Sequence, residues 1–240
     1  MTSQTSSVNI KIVETKTDYR CCDCDRLFRR ESSLATHMCE PRRRRECRGE
    51  RGVMIGYQAF LEFYKNLHGS SKLKTAEDFE KSPYYRAFVK FGRYCVDTRV
   101  VDPSSYMKWL LANNQKIDRW ATDTEYTQYL VSWLCTEPVP QAVRRAMEWA
   151  QDWAEKNSAP ARDCLRYGNV NTVCHAIASG RVSGWVLYNC ASGQEFLAAL
   201  QHQEIQMIWP YIDSDRWSRR FQEFPADQIL AQSLLTDQGW

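Results

Sequence analysis

The chain has 240 residues, a hydrophobic fraction of 43%, an aromatic fraction of 12% and a formal net charge of +3. This composition excludes an intrinsically disordered chain, and the length allows one good-sized core with a small additional module. The charge is uneven, because residues 20–51 carry ten arginines against six acids, whereas residues 52–240 come to −1. Such asymmetry indicates a basic arm that contacts phosphate groups, while the larger part of the chain has a different function.

The chain divides into four segments in sequence order. Residues 1–17 are predicted to form a flexible polar lead, residues 18–40 a zinc finger, residues 41–51 a basic linker and residues 52–240 an all-α domain. The predicted fold class is therefore mainly α, with a small N-terminal ββα-type zinc finger followed by an all-α multi-helix domain. Outside the finger, no alternating apolar pattern of convincing length predicts a strand.

Apolar residues recur at intervals of three and four along the larger domain, which is typical of amphipathic helices. Pro83 is expected to divide the second helical segment or to begin its second part. After Pro160 the predicted helices become shorter, because glycines are frequent there. The predicted helices span residues 53–67, 76–96, 104–113, 123–135, 139–156, 170–179, 183–189, 193–201 and 214–223.

The finger is predicted from its cysteine and histidine spacing. Cys21 and Cys24 are separated by two residues, and twelve residues later comes His37. Structural zinc takes four thiolate or imidazole ligands in a tetrahedron, and this spacing suits a hairpin followed by a short helix. A unit so small has few apolar positions, and three residues occupy them: Tyr19, Phe28 and Leu34.

The fourth zinc ligand is less clear from the sequence. No second histidine follows His37 at the usual interval, and Cys39 comes only two residues later. Side chains at i and i+2 do not share a helix face, so the helix must end near His37, as the nearby Pro41 favours. Cys47 is a second candidate if the arginine run folds back, and Cys22 competes with its neighbour Cys21. We favour Cys39.

A second group of residues indicates nucleic acid binding. Aligned on the start of the finger helix, Arg30, Ser33 and Thr36 occupy the positions that contact bases in DNA-reading fingers. One finger spans only about three base pairs, so non-specific attraction to phosphate is the simpler expectation. The arginines that would supply this attraction are Arg42, Arg43, Arg44, Arg45 and Arg48. The alternative is a solvated linker beside a finger that is structural or that docks a protein.

The remaining chemistry-bearing residues give no case for an enzyme. Ten cysteines could form a disulfide scaffold, but no secretory signal is visible, so a reducing, intracellular compartment is expected. Cys174 and His175 are sequence neighbours and point about 100° apart on a helix, which disfavours a catalytic pair. No glycine-rich phosphate loop is present. No run of 18 apolar residues is present either, so no membrane partner is expected. Aromatic and basic residues alternate in 86–94, where we expect the aromatics to face inward.

The sequence resembles a group of small zinc-finger-plus-all-helical proteins of large tailed bacteriophages. The resemblance rests on His37-Met38-Cys39, the basic turn after it, Gly56-Tyr57-Gln58-Ala59-Phe60 with Phe63-Tyr64, Val182-Ser183-Gly184-Trp185 and Trp217-x3-Phe221. That group usually carries a proline where this chain has Gly184. The resemblance implies a phage origin, a role around phage DNA and a location in the cytoplasm of an infected bacterial host.

Three functions follow as expectations. The first is a phage zinc-finger protein that holds Zn²⁺, binds DNA through the finger and arginine arm, and acts in viral DNA metabolism through its helical domain. The second, which the resemblance alone suggests, is a DNA-modifying transferase in a thymine hypermodification pathway, with a polar pocket near residues 160–220. The third is a docking factor for host or phage replication or transcription proteins.

Overall fold

The computed structural model describes residues 18–68 and 74–240, and the predicted lead of residues 1–17 lies outside the described residues. The predicted fold class is confirmed: a two-stranded sheet near the N-terminus is followed by helices. Strands β1 (Tyr19–Arg20) and β2 (Leu27–Phe28) pair antiparallel, with Tyr19 opposite Phe28. Within the described residues, no helix has both the length and the apolar character needed to cross a bilayer.

The helices follow one another with short connections. In chain order they are α1 (Glu31–Ala35), α2 (Glu40–Glu46), α3 (Arg51–His68), α4 (Ala76–Lys81), α5 (Tyr85–Asp97), α6 (Pro103–Ala112), α7 (Asp123–Trp133), α8 (Val139–Asn157), α9 (Cys164–Tyr167), α10 (Val170–Ala178), α11 (Gly184–Leu187), α12 (Ala191–Ala199), α13 (His202–Ile212), α14 (Ser214–Glu223) and α15 (Pro225–Asp237). Short 3₁₀ turns cover Cys47–Gly49, Ile117–Arg119 and Ala161–Asp163.

Most predicted helices lie within a few residues of their observed bounds, and Pro83 separates α4 from α5. Helices α2, α9, α13 and α15 are absent from the sequence-based prediction. Helix α9 has only four residues, and each of the other three contains a proline that interrupts the apolar pattern: Pro41 and Pro225 lie in a first turn, and Pro210 lies inside α13. A proline in a first turn removes no helical hydrogen bond, so it begins a helix as readily as it ends one.

Helices α3 and α5 pack backbone to backbone. A Cβ atom at Gly92 would lie 1.9 Å from the carbonyl oxygen of Gly52, and one at Gly56 would lie 2.6 Å from the carbonyl oxygen of Phe88. Only glycine allows such an approach, because any larger side chain would collide with the facing backbone. This contact fixes α3, which follows the finger in sequence, against the helical body.

Aromatic residues make up much of the core, as expected. Trp120 is fully buried, with its ring centroid 5.5 Å from that of Phe91, and its indole N–H donates to the carbonyl oxygen of Gln115 at 2.9 Å. A second cluster surrounds Trp217, whose indole N–H donates to the carbonyl oxygen of Tyr211 at 2.8 Å. Both indoles are thus buried with their polar atom satisfied, which burial requires.

Two of the segments on which the bacteriophage resemblance rests, residues 182–185 and 217–221, meet in this second cluster. The rings of Trp185 and Trp217 are 5.4 Å apart between centroids, and Phe221 lies 5.6 Å from each. A Cβ atom at Gly184 would lie 2.1 Å from the indole of Trp217. Glycine is therefore required here by the tryptophan that packs on it.

The cysteines of the helical body are free and mostly buried. Four are buried, namely Cys95, Cys164, Cys174 and Cys190, and Cys135 is half-buried. Burial raises the pKa of Cys95 and of Cys164 to about 12, so both remain protonated at neutral pH. Cys174 is buried whereas His175 is exposed, so these two residues do not form a catalytic pair.

We predict that Gly92→Ala lowers the free energy of unfolding by about 1–3 kcal/mol or more, because the added methyl group forces α3 and α5 apart. Gly49→Ala is the matched control, since a Cβ atom there has nothing within 4 Å. Denaturant titration followed by circular dichroism measures both. Equal stability of the two variants would contradict the close helix contact.

Candidate metal centre

The hairpin turn brings Cys21 and Cys24 to one site. The backbone N–H of Cys21 donates to the carbonyl oxygen of Arg26 at 2.9 Å, and that of Asp25 donates to the carbonyl oxygen of Cys21 at 2.9 Å. Asp25 adopts a left-handed conformation with φ of 59°, which an aspartate tolerates better than most residues. The chain therefore turns tightly enough for both thiols to belong to one cluster.

The other two ligands lie in the connection between α1 and α2. Helix α1 ends at Ala35, and the backbone N–H of His37 donates to the carbonyl oxygen of Leu34 at 3.1 Å as the chain turns. Cys39 is the extended N-cap residue of α2. Because both His37 and Cys39 lie outside the helices, the rule that separates side chains at i and i+2 does not apply to them.

These four side chains form a group that could hold a metal ion. The ligand atoms of Cys21, Cys24, His37 and Cys39 all lie within 4.8 Å of one another. The sulfur atoms of Cys21 and Cys39 are 3.9 Å apart, and the Cys24 sulfur is 3.2 Å from Nε2 of His37. The pKa of Cys21 is lowered, chiefly by the hydrogen bond from the backbone of Asp23, which favours the thiolate that a metal requires.

The structure places the other two candidate ligands elsewhere. Cys22 is exposed, with its sulfur 3.6 Å from a carboxylate oxygen of Asp23. Cys47 lies beside Glu50, and its pKa is raised by the hydrogen bond to that carboxylate and by burial. Neither belongs to the cluster of four, so Cys39 is the residue that completes the group.

The finger has almost no core of its own. Among residues 18–40 only Cys21 is buried, and the three expected core residues, Tyr19, Phe28 and Leu34, are half-buried. The ring of Phe28 packs against that of His37, with 4.7 Å between centroids. With so little apolar surface removed from water, the finger depends on the ligand group for its folded shape.

The residues expected to contact bases are exposed. Arg30 is the N-cap of α1, and Ser33 and Thr36 lie on α1 and at its end. Within the described residues, no acid pairs with Arg30. The hydroxyl group of Thr36 donates to the carbonyl oxygen of Ser32 at 3.1 Å. Helix α1 has only five residues, so it offers a short reading surface.

The segment taken from the sequence as a basic linker is helical, and two of its arginines hold the finger. Arg42 donates from Nη1 to the carbonyl oxygen of His37 at 2.9 Å. Arg45 pairs with Asp23, with Nη2 3.1 Å from Oδ2, and the Asp23 side chain is only 8% exposed. Both contacts join α2 to the loops that carry the metal ligands.

Two further arginines of the run attach α2 to the helical body. Arg48 pairs with Glu80 of α4, with Nη2 2.9 Å from Oε2. Arg44 donates to the backbone carbonyl oxygen of Glu80, and its guanidinium carbon lies 4.3 Å from the ring centroid of Tyr85. Arg42, Arg44, Arg45 and Arg48, which we call the arginine clasp, therefore fix the finger to the body.

The fifth arginine of the run, Arg43, faces a groove instead. The groove lies between α2 and α5 and has a volume of about 550 Å³. Arg43 and Arg86 are 64% and 83% exposed, and both share the carboxylate of Glu40 at 3.8–3.9 Å. Lys90 also lines the groove and is exposed, and no acid pairs with it in residues 18–68 and 74–240.

Segment 86–94 has the orientation expected from the sequence. Phe88 and Phe91 are fully buried, whereas Arg86, Lys90 and Arg93 are exposed. The cations of α5 thus face the groove and the two phenylalanines fill the core, whereas Tyr94 is half-buried and lines the groove. Sequence reasoning did not connect this segment with the arginine run, because the two are separated by more than 30 residues.

Comparison with protein-family models, with curated proteins and with solved structures finds no match to this chain. Its function is therefore inferred from its own residues. Those residues form a metal-ligand group, a clasp that orients it and a cationic groove beside the clasp.

We predict that Cys24→Ser removes stoichiometric metal and unfolds the finger, while the helical body keeps its circular dichroism, since one of four ligands is lost. Cys22→Ser is the matched control, because that thiol lies outside the group. Metal content by elemental analysis and proteolysis within residues 18–40 report the two effects. Loss of metal in the Cys22 variant alone would contradict the assignment.

Proposed function

We propose that the protein binds DNA through its finger and the adjacent cationic groove, with Zn²⁺ as a structural ion. One observation carries the proposal: exposed cations on the finger and in the groove lie on elements that the clasp holds together. On the finger these are Arg29 and Arg30, and in the groove they are Arg43, Arg86 and Lys90. Cations spread over a rigid surface suit a backbone of regularly spaced phosphates.

Zinc is the metal that best fits the ligand group. Three thiols and one imidazole form a set typical of structural zinc sites. Ligands about 2.3 Å from zinc in a tetrahedron lie about 3.8 Å apart, close to the 3.9 Å between the sulfur atoms of Cys21 and Cys39. Four protein ligands leave no open coordination position, so in this proposal zinc builds the finger and does not act on a substrate.

Within the proposal, the arginines of the run divide into two roles. Arg42, Arg44, Arg45 and Arg48 already donate to protein carbonyl or carboxylate oxygens, so phosphate would have to break those contacts. Arg43 shares one carboxylate at 3.8 Å and is free to turn toward phosphate. Four arginines therefore orient the finger, and Arg43 joins the DNA-contacting set.

Base reading is a minor contribution in this proposal. Helix α1 has five residues, and a single finger spans about three base pairs, so Arg30, Ser33 and Thr36 supply little specificity. Phosphate contacts supply most of the affinity, through counterion release. We therefore propose weak sequence preference and strong salt dependence.

The bacteriophage setting belongs to the same proposal. The resemblance supports a helical domain acting in viral DNA metabolism, in the cytoplasm of an infected bacterial host. Two of the segments on which it rests, residues 182–185 and 217–221, pack into one aromatic cluster around Trp217 and form a structural unit of the body.

A second candidate function is docking of a protein on the finger. Leu27 and Met38 are 58% and 48% exposed, although a unit with so few apolar residues gains stability by burying them. These two side chains are available to pack against a partner protein. A replication or transcription protein of host or phage would be the partner.

We predict that changing Arg43, Arg86 and Lys90 together to Gln weakens binding to a 20-base-pair duplex. Removal of three phosphate contacts reduces the slope of log K against log salt by about 3. The matched control changes Lys108, Lys156 and Arg162 to Gln, which removes the same charge from exposed positions outside the groove. Fluorescence anisotropy at four salt concentrations measures both.

Two results would argue against the proposal. Equal weakening by both triple variants would show a general charge effect without a groove. Absence of duplex binding at low salt, with loss of function in a Leu27→Ser, Met38→Ser variant that keeps its metal, would favour the docking function instead.

A further inference from the structure

A second cavity lies on the helical body, apart from the finger and the groove. It has a volume of about 600 Å³ and is bounded by α3, the end of α5, α8 and the turn that follows α10. None of its lining residues lines the groove between α2 and α5. Its size suits a small molecule.

Four arginines line this cavity, and one of them has a structural role. Arg145 pairs with the buried carboxylate of Glu137 through two nitrogen atoms, at 2.6 and 2.8 Å. It also donates to the carbonyl oxygen of Gly180 at 2.6 Å, which holds the turn before Arg181. Its charge is therefore neutralised within the fold.

The other three arginines, Arg51, Arg99 and Arg181, have no such partner. Within residues 18–68 and 74–240, no acidic oxygen lies within 4.0 Å of their guanidinium nitrogens. Two carboxylates line the cavity. Glu148 pairs at 3.9 Å with Arg144, which lies outside the cavity, so Asp152 is left to offset the three unpaired arginines. Three positive charges against one negative charge leave the cavity at +2.

Two left-handed turns bring two of these arginines to the same cavity. Arg99 itself has φ of 53°, after the last turn of α5, and Gly180 has φ of 77° immediately before Arg181. The pKa of Arg181 is lowered, chiefly by burial and further by the positive charge of Arg99. Arg181 is half-buried and Arg99 is exposed, so the two like charges repel each other and the carboxylate of Asp152 offsets this only in part, which an anion in the cavity would relieve.

We infer that this cavity, which we call the arginine cleft, binds a small molecule through a phosphate group carrying at least two negative charges. Guanidinium groups match phosphate oxygens in pairs of parallel hydrogen bonds, and a doubly charged phosphate balances the +2 of the cleft. The apolar lining residues Val100, Val101 and Trp149 provide a surface for the uncharged part of the ligand.

Isothermal titration calorimetry of the metal-loaded full chain tests the inference, with inorganic tripolyphosphate and orthophosphate as probes. We expect saturable 1:1 binding that is tighter for tripolyphosphate. Arg181→Gln or Arg99→Gln should weaken it about tenfold or more, because one charged hydrogen-bonding group is lost. Arg162→Gln is the matched control, since that arginine is exposed and lies outside the cleft.

The thermal midpoint without ligand separates a binding role from a structural one. Arg181→Gln removes a half-buried, repelled cation, so we expect its midpoint to equal or exceed that of the unchanged protein. A lowered midpoint together with unchanged tripolyphosphate binding would overturn the inference and leave Arg181 a structural residue.

Duplex DNA as a competitor distinguishes a free small molecule from a nucleic acid backbone as the source of phosphate. We expect a 20-base-pair duplex to leave tripolyphosphate binding unchanged, and the Arg43, Arg86, Lys90 variant to bind tripolyphosphate normally. Displacement by the duplex, equal weakening by Arg162→Gln or absence of 1:1 binding would overturn the inference, whatever the outcome for DNA binding.

Discussion

The convergence of four ligand atoms within 4.8 Å is the constraint on which the N-terminal part of the molecule depends. The finger of residues 18–40 buries almost no apolar surface, so hydrophobic packing cannot define its shape. A metal ion bound by this group would join the hairpin turn at Cys21 to the connection at Cys39. The backbone of His37 and the side chain of Asp23, which receive the clasp arginines, are placed by the same convergence.

The arginine clasp fixes the finger against the helical body. Exposed ion pairs contribute at most about 1 kcal/mol each, but the pairs in the clasp are of a different kind. The carboxylates of Asp23 and Glu80 are 8% and 14% exposed, and each receives two nitrogens of one guanidinium group. Such bidentate contacts fix the orientation of the guanidinium group relative to the carboxylate and also add to the strength of the ion pair. Much of the excess of arginine in residues 20–51 therefore serves to position the finger on the helical body.

The parts of this architecture that depend on local sequence patterns could be predicted from the sequence. The spacing of Cys21, Cys24 and His37 indicated the metal group, and helical periodicity indicated most helices of the body. The choice of Cys39 depended on where α1 ends, which residue spacing alone left open. Helix α2 was taken for a linker, because Pro41 and a run of charges resemble an interruption, although proline favours a first helical turn.

The features that escaped prediction depend on residues far apart in the chain. The arginine cleft brings together Arg51, Arg99, Arg145 and Arg181 from four elements, and none stands in a recognisable motif. Gly180 before Arg181 signals a turn, but only the fold shows what that turn faces. The same holds for Gly184, whose lack of a side chain is explained by Trp217, 33 residues later.

Hydrogen exchange of the zinc-loaded protein with and without a 20-base-pair duplex tests the proposed DNA-binding surface most directly. If the clasp holds finger and groove as one DNA-binding surface, the duplex should slow exchange together in α1, in α2 and in the first two turns of α5. Slower exchange in α1 alone would show that the finger binds DNA independently of the groove. No change in any of these helices, under conditions where the duplex is bound, would contradict the proposed surface.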